Sequence, residues 1–247
     1  MKSDALAPRD WLATQPLLPG QQLYAVLGNA SSAEPLRHYY QRSPTADALP
    51  LWQGTPYARW QAVMPYLAPL AADDPFLDWI AEQAEGDWGW LAVSTHPQAL
   101  LQEHLRSLTQ VWMPDGQATF FRFWDGHHLL PLLRRLGEAF APVLPVFTRY
   151  LIQGTALALP AVDAAPARNF PWWQIPADLL EGLTDADPTT LVDNLLQWLR
   201  QEQAPLYFQL PTANLRLKIE RFVRRATPTD ARDPQLLKAF LMDEFAR

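Results

Sequence analysis

The sequence of 247 residues contains no cysteine. Without a thiol the chain forms no disulfide, no thiolate zinc site and no cysteine nucleophile. A cysteine-free chain suits a reducing compartment, and we expect the protein to be cytoplasmic. The start of the chain, Met1–Asp10, mixes charges with a proline where a signal peptide needs a continuous apolar stretch.

Glycine is scarce as well, with ten residues in the whole chain. The sequence contains neither a GxxxxGK[ST] nor a GxGxxG loop to hold phosphates, and it contains no GxSxG elbow to present a serine nucleophile. We therefore expect no cofactor and no catalytic residues.

Long apolar runs and excess positive charge are also missing. No segment approaches the roughly 18 consecutive apolar residues that span a bilayer, so we expect no membrane partner. Charged residues make up 19% and the formal net charge is -6. Because phosphate backbones repel an acidic chain, we expect no nucleic-acid partner.

Proline and tryptophan are abundant instead, at 24 and 11 residues. Proline favours short, rigid connections between elements. Tryptophan supplies a large apolar area either to a core or to a protein interface, and composition does not separate the two. Hydrophobic residues at 49% indicate a chain that folds around a substantial core.

Short apolar runs in the first part of the chain predict strands. They are LYAVL at Leu23–Leu27, LPLWQ at Leu49–Gln53 and WGWLAVST at Trp88–Thr95. Prolines cross the run Val63–Leu70, which therefore predicts an edge strand or an extended segment. A proline-aspartate-glycine turn ending at Gly116 predicts a hairpin.

Amphipathic segments lie between these runs, so the sequence predicts an α/β (α+β) fold of two lobes. After a lead-in of 1–19, an α/β domain with a mixed sheet occupies 20–155. An alanine- and proline-rich linker covers 156–170. Three amphipathic stripes then predict an all-helical lobe over 171–247, because each stripe needs the others to be buried.

Five histidines occur, and the pair His127-His128 beside Asp125 is the arrangement closest to chemistry. Adjacent side chains on a helix point about 100° apart and rarely share a metal, so we expect no metal site. Arg122, in the second arm of the hairpin, is interpreted as a structural ion-pair partner of Asp125. The alternative is that Arg122 captures a carboxylate of a partner.

Other residues are assigned structural or partner-binding roles. Gly54, Pro56 and Gly116 are predicted to shape turns. Trp172 and Trp173 are candidate anchors for a partner, with burial in the core as the alternative. A basic stripe on the predicted helix Thr212–Ala226 indicates either a solvated face or a docking face for an acidic partner. The stripe consists of Arg216, Lys218, Arg221, Arg224 and Arg225.

Several segments occur in the order seen in one bacterial family. They are Leu23–Leu27, Leu51–Pro56, Trp88–Trp90, Pro114–Gly116 and Phe121–Asp125. The chain resembles, over about residues 20–150 and more weakly over Ile175–Leu199, a family long known as a domain of unknown function that is encoded beside VgrG spike proteins of type VI secretion systems.

The resemblance implies an effector adaptor, or chaperone. Such a protein binds a type VI secretion effector, often at its N-terminal region, and helps to load it onto the cognate VgrG spike without being secreted. The chain departs from the family at Asp125-Gly126, where proline usually follows the aspartate, and we expect a looser backbone there. Two alternatives stay open. One is a generic protein-interaction module, and the other is a small hydrolase or transferase that uses Asp125 with His127 or His128.

Overall fold

The computed structural model of the protein describes residues 5–43, 47–83, 86–160, 168–180, 189–227 and 230–246. The chain divides into two compact units, Met1–Ile175 and Pro176–Arg247. The first unit combines a sheet with helices and the second is helical, so the predicted fold class is confirmed.

The first unit is organised around a six-stranded sheet in the order β2-β3-β1-β4-β7-β8. Its strands are β1 (Gln22–Gly28), β2 (Leu49–Pro50), β3 (Pro65–Leu70), β4 (Gly89–Ser94), β7 (Arg149–Ile152) and β8 (Thr155–Ala158). The strands β5 (Gln110–Trp112) and β6 (Ala118–Phe120) form a separate hairpin.

The sheet differs in one detail from the predicted mixed sheet, because all its strand pairings are antiparallel. The strands β3 and β4 do run parallel to each other, as the helix between them suggests. However, β1 lies between them and pairs with both.

In the described part of this unit, five α-helices accompany these strands: α1 (Pro8–Thr14), α2 (Pro35–Arg42), α3 (Phe76–Glu82), α4 (Gln98–Ser107) and α5 (Gly126–Leu136). A core between one sheet face and the helices α1 to α3 buries the rings of Trp11, Tyr39 and Phe76 against Leu23 and Leu91. Trp11 makes α1 part of this core, so residues 8–14 do more than lead into the domain.

The opposite sheet face is also covered. The Trp90 ring lies 5.5 Å from that of Phe147, and its Nε1 donates a hydrogen bond of 2.7 Å to the carbonyl of Phe123. Every residue of β4 is buried. Burial on both faces explains why this strand reads as a continuous apolar run.

The prolines of β3 predict an edge strand or an extended segment, yet the strand lies between β1 and β2. The carbonyl of Pro65 accepts from the amide of Leu51, on the β2 side. Residues 65, 67 and 69 share that side, since backbone groups alternate along a strand. The backbone nitrogens of Pro65 and Pro69, which carry no hydrogen, therefore face away from β1, and the pairing of β1 with β3 loses no hydrogen bond. The short strand β2 does not extend as far as Pro69, so no hydrogen bond is lost there either.

The predicted linker 156–170 begins inside the strand β8 and includes residues 161–167, which lie outside the described residues. The segment 171–175 belongs to the first unit. There the amide of Trp112 donates to the carbonyl of Trp173, and the amide of Ile175 donates to the carbonyl of Trp112. These bonds attach the segment to the hairpin.

The second unit packs its helices around one apolar core, as the amphipathic stripes predicted. They are α6 (Thr189–Glu202), α7 (Ala204–Tyr207), α8 (Thr212–Arg225) and α9 (Pro234–Ala246), with a further helical turn at 177–180. Leu199, Leu215, Ile219, Leu237 and Leu241 are fully buried in this core. No helix of the described ranges is both long and apolar enough to cross a bilayer.

Candidate interaction surfaces

A cluster of aromatic rings joins the loop after β2 to the β5–β6 hairpin. Trp52, which is buried, forms its base and lies 5.4 Å from Trp124 and 6.0 Å from Phe120, measured between ring centroids. The sequence predicted a strand as far as Gln53, but β2 ends at Pro50 and the chain turns back on itself from Leu51. That turn carries Trp52 into the cluster.

Gly54 is part of this turn, because its φ of +80° is a left-handed conformation that glycine adopts without strain. The amide of Thr55 donates to the carbonyl of Trp52, and the amide of Tyr57 donates to Oγ1 of Thr55 across Pro56. These local bonds hold Tyr57 at the outer side of the cluster.

The outer layer of the cluster reaches solvent. Tyr57 lies 4.8 Å from Phe120, and Trp60 stacks on Phe120 at 5.6 Å with an interplanar angle of 29°. Trp60 is 43% exposed. Phe170 lies 6.1 Å from Tyr57 and is half-buried.

Trp112 extends this surface along the hairpin. It pairs directly with Ala118, two residues before Phe120, so its side chain lies on the same hairpin face as Phe120. It is also exposed. We call the five side chains the aromatic face: Tyr57, Trp60, Trp112, Phe120 and Phe170.

The loop that supplies Tyr57 and Trp60 is poor in charge. Between Leu49 and Leu70 the only charged side chain is Arg59. The centres of protein interfaces are typically rich in aromatic side chains and poor in charged ones, as this loop is. The aromatic face was not predicted from sequence, because its members lie in three distant segments.

The predicted anchors Trp172 and Trp173 are both half-buried against the first unit. Nε1 of Trp172 donates to Oγ of Ser107 at 3.0 Å. The ring of Trp173 lies 5.5 Å from Phe121 and 5.6 Å from Phe140. These contacts attach the segment to its own unit, and a role in partner binding stays a prediction.

The predicted basic stripe lies on α8, where two of its five members are held by short ion pairs. Arg216 contacts Asp193 at 2.5 Å, and Lys218 contacts Glu244 at 2.6 Å. Arg221 and Arg224 have only longer contacts, of 3.9 Å to Glu244 and 3.7 Å to Glu220. The stripe is therefore not uniform.

Asp125 lies at the start of α5 and gathers three neighbours. Its Oδ1 accepts from the amide of His127 at 2.9 Å, which caps the helix. Its Oδ2 is 2.7 Å from Nη2 of Arg122 and 3.7 Å from Nε2 of His128. The sequence places Arg122 in the second arm of the hairpin, but it follows the end of β6 and is exposed.

Burial at this helix start disfavours the protonated form of His128. Burial lowers the pKa of His128, although Asp125 opposes the shift. His127 is exposed and lines a cavity of about 420 Å³ beside Leu6, Trp88 and Gln153. In the described part of the chain, no group of three or more histidine, aspartate or glutamate side chains is arranged so that it could hold a metal ion.

Gly126 corrects one expectation, because the backbone after Asp125 is tightly packed and not loose. A Cβ atom at Gly126 would lie 2.7 Å from the carbonyl oxygen of Gly86. Glycine is buried here because the start of α5 approaches the segment before β4 closely.

Comparison with known proteins identifies one similarity. Residues 23–140, slightly less than half of the chain, match the family model described as domain of unknown function DUF4123. The matched range includes β1 from Leu23 onward and the whole of β2 to β6, and it contains four of the five residues of the aromatic face. No significant match was found among curated proteins or among solved structures.

Proposed function

We propose that this protein is an adaptor that binds a type VI secretion effector and promotes its loading onto the cognate VgrG spike, with no bond made or broken. The exposed aromatic face is the observation that carries the proposal. The match of residues 23–140 to DUF4123 supports it, as does the order of segments described above.

The aromatic face suits this task because binding energy in protein interfaces concentrates on a few large side chains. Tryptophan and tyrosine dominate such positions, because they bury much apolar area and lose little conformational freedom. Trp60 and Trp112 are both exposed, and the ring of Trp60 lies 6.4 Å from the buried ring of Trp52, which gives it a rigid base.

The mechanism follows from this arrangement. An apolar segment of the effector covers the aromatic face, which shields both surfaces from water until the effector reaches its spike. The loop that supplies Tyr57 and Trp60 contains a single charged residue, so we expect association there to depend on shape and apolar area more than on salt.

The adaptor function requires effector and spike genes near the gene of this protein, and co-expression with such genes tests the proposal. We expect the tagged chain to copurify with the effector, and the N-terminal region of the effector to be sufficient for capture. Failure to capture any effector encoded beside it would contradict the adaptor function. A generic interaction module would instead lack spike and effector genes in its neighbourhood.

A further inference from the structure

Helix α8 carries more basic side chains than there are carboxylates at ion-pair distance from them among the described residues. Four of its five basic side chains lie at ion-pair distance from three carboxylates of the described residues, those of Asp193, Glu220 and Glu244. Five cations against three carboxylates leave two positive charges unbalanced on one helix of an acidic chain.

The surplus lies at the C-terminal half of the helix. Arg216 and Lys218 take the short contacts to Asp193 and Glu244. Arg221 is left 3.9 Å from Glu244, which Lys218 already holds, and Arg225 has no ion pair among the described residues.

An exposed leucine lies beside these arginines. Leu217 is 62% exposed and, together with Glu220, Arg221, Arg224 and Arg225, lines a hollow of about 360 Å³. The spacing of Leu217, Arg221 and Arg224 by four and then three residues places them along one stripe of the helix.

The helix dipole explains only part of this arrangement. Arg224 and Arg225 lie in the last turn, where cations are favoured by the partial negative charge of the helix end. Arg221 lies before that turn and contacts its own unit weakly, and the dipole gives no reason for an exposed leucine beside it.

We propose that Leu217, Arg221, Arg224 and Arg225 form a docking face for an acidic amphipathic helix of a partner polypeptide. Carboxylates of the partner would form ion pairs with the guanidinium groups of the three arginines, and an apolar side chain of the partner would cover Leu217. Such a helix complements both features, since it presents carboxylates and leucine-type side chains on neighbouring stripes.

A polypeptide fits this face better than a nucleic acid does. A phosphate backbone offers no apolar group for Leu217, and the chain as a whole carries a net charge of -6. The inference goes beyond the adaptor function, because it holds whichever protein supplies the helix.

Binding of a synthetic peptide to the full chain tests this docking face. The probe is a fluorescent amphipathic helix with glutamates along one stripe and leucines along the next, and its affinity is measured by anisotropy at low salt. We expect Arg221→Glu combined with Arg225→Glu to weaken binding by about tenfold or more. The matched control is Arg200→Glu, an exposed position of α6, which should change the affinity by less than about twofold.

Further variants separate docking from folding and from other ligands. Arg221→Gln with Arg225→Gln keeps both side chains polar and should give an intermediate loss, and Leu217→Ser should weaken binding by about threefold or more. Lack of peptide binding by the wild type, equal binding by the charge-reversed variant, or tighter binding of a DNA duplex or of phosphatidylserine vesicles would overturn the proposal. Because the probe is synthetic, failed effector capture would leave this result intact.

Discussion

Nη2 of Arg122 lies 2.7 Å from Oδ2 of Asp125, and the two side chains differ in exposure, at 54% and 5%. Asp125 also caps α5 through the amide of His127. The buried carboxylate of Asp125 therefore contacts both Arg122 and the amide of His127. The guanidinium of Arg122 has the single contact to Asp125 and is otherwise exposed to solvent.

We expect Asp125→Ala to lower the free energy of unfolding by about 1 to 2 kcal/mol, because the helix loses its cap and the ion pair together. Arg122→Ala should cost less than about 1 kcal/mol, since an exposed ion pair contributes little. Urea unfolding of both variants measures the difference, and Asp125→Asn is the control that keeps a capping side chain. If Arg122→Ala retains wild-type stability and loses partner binding, its role is in recognition and not in the fold.

The second prediction concerns two glycines that share a positive φ but differ in crowding. A Cβ atom at Gly89 would lie 2.0 Å from the carbonyl oxygen of Val26, while one at Gly116 would meet open space. We expect Gly89→Ala to destabilise the protein by more than about 3 kcal/mol, because two neighbouring strands must separate. Gly116→Ala should cost only about 1 to 2 kcal/mol, the backbone strain alone. Similar thermal shifts for the two variants would contradict the close approach of β1 and β4.

The third prediction is a pH dependence of stability that arises at His104. The side chain is buried, and its Nε2 lies 2.9 Å from the carbonyl oxygen of Val143, which can only accept, so Nε2 carries the proton of the neutral ring. Burial lowers the pKa of His104. The unfolded chain therefore takes up a proton first as the pH falls below about 6.5, and stability declines from there down to the folded pKa.

His104→Gln should reduce this decline, because glutamine is also able to donate to Val143 and does not titrate. Unfolding free energies measured from pH 7.5 to 5 for both proteins test the effect. His128 shifts in the same direction and leaves a residual slope. An unchanged slope in His104→Gln would assign the whole pH dependence to other groups.

The fourth prediction separates the tryptophan pair. Trp173→Ala should lower the free energy of unfolding by about 2 kcal/mol, because the ring contacts with Phe121 and Phe140 are lost. The loss is smaller than at a fully buried tryptophan, since Trp173 is half-buried. Trp172→Phe should cost about 1 kcal/mol through the lost hydrogen bond to Ser107. If Trp172→Ala folds and still captures the effector undiminished, Trp172 is not an anchor.

Local sequence patterns predicted those helices and strands in which buried residues recur at the spacing typical of the element. The run Leu23–Leu27 became the central strand β1, and the stripe with Leu215, Ile219 and Phe222 became the buried face of α8. Leu236 of α9 is an exception, because it is apolar but exposed. A helical stripe is wider than the contact a partner helix makes, so its margin stays open to solvent.

Long-range relationships could not be predicted from the same patterns. The helix α1 is only seven residues long, and its proline start and apolar pair gave a signal too short to separate from a lead-in. The aromatic face needs Trp60 and Phe120 to meet at 5.6 Å across sixty residues of chain. Only the register of the sheet and the turn after β2 bring such residues together.

The affinity of the purified chain for its effector, compared between two exposed-aromatic variants, tests the adaptor account most directly. Trp60→Ser removes an exposed side chain of the aromatic face. Phe208→Ser removes an aromatic side chain that is more exposed than Trp60 but belongs to the helical unit. The account predicts that Trp60→Ser weakens binding by about 2 kcal/mol or more at wild-type stability. It predicts no change for Phe208→Ser. Equal affinities for Trp60→Ser and the wild type would contradict binding through the aromatic face.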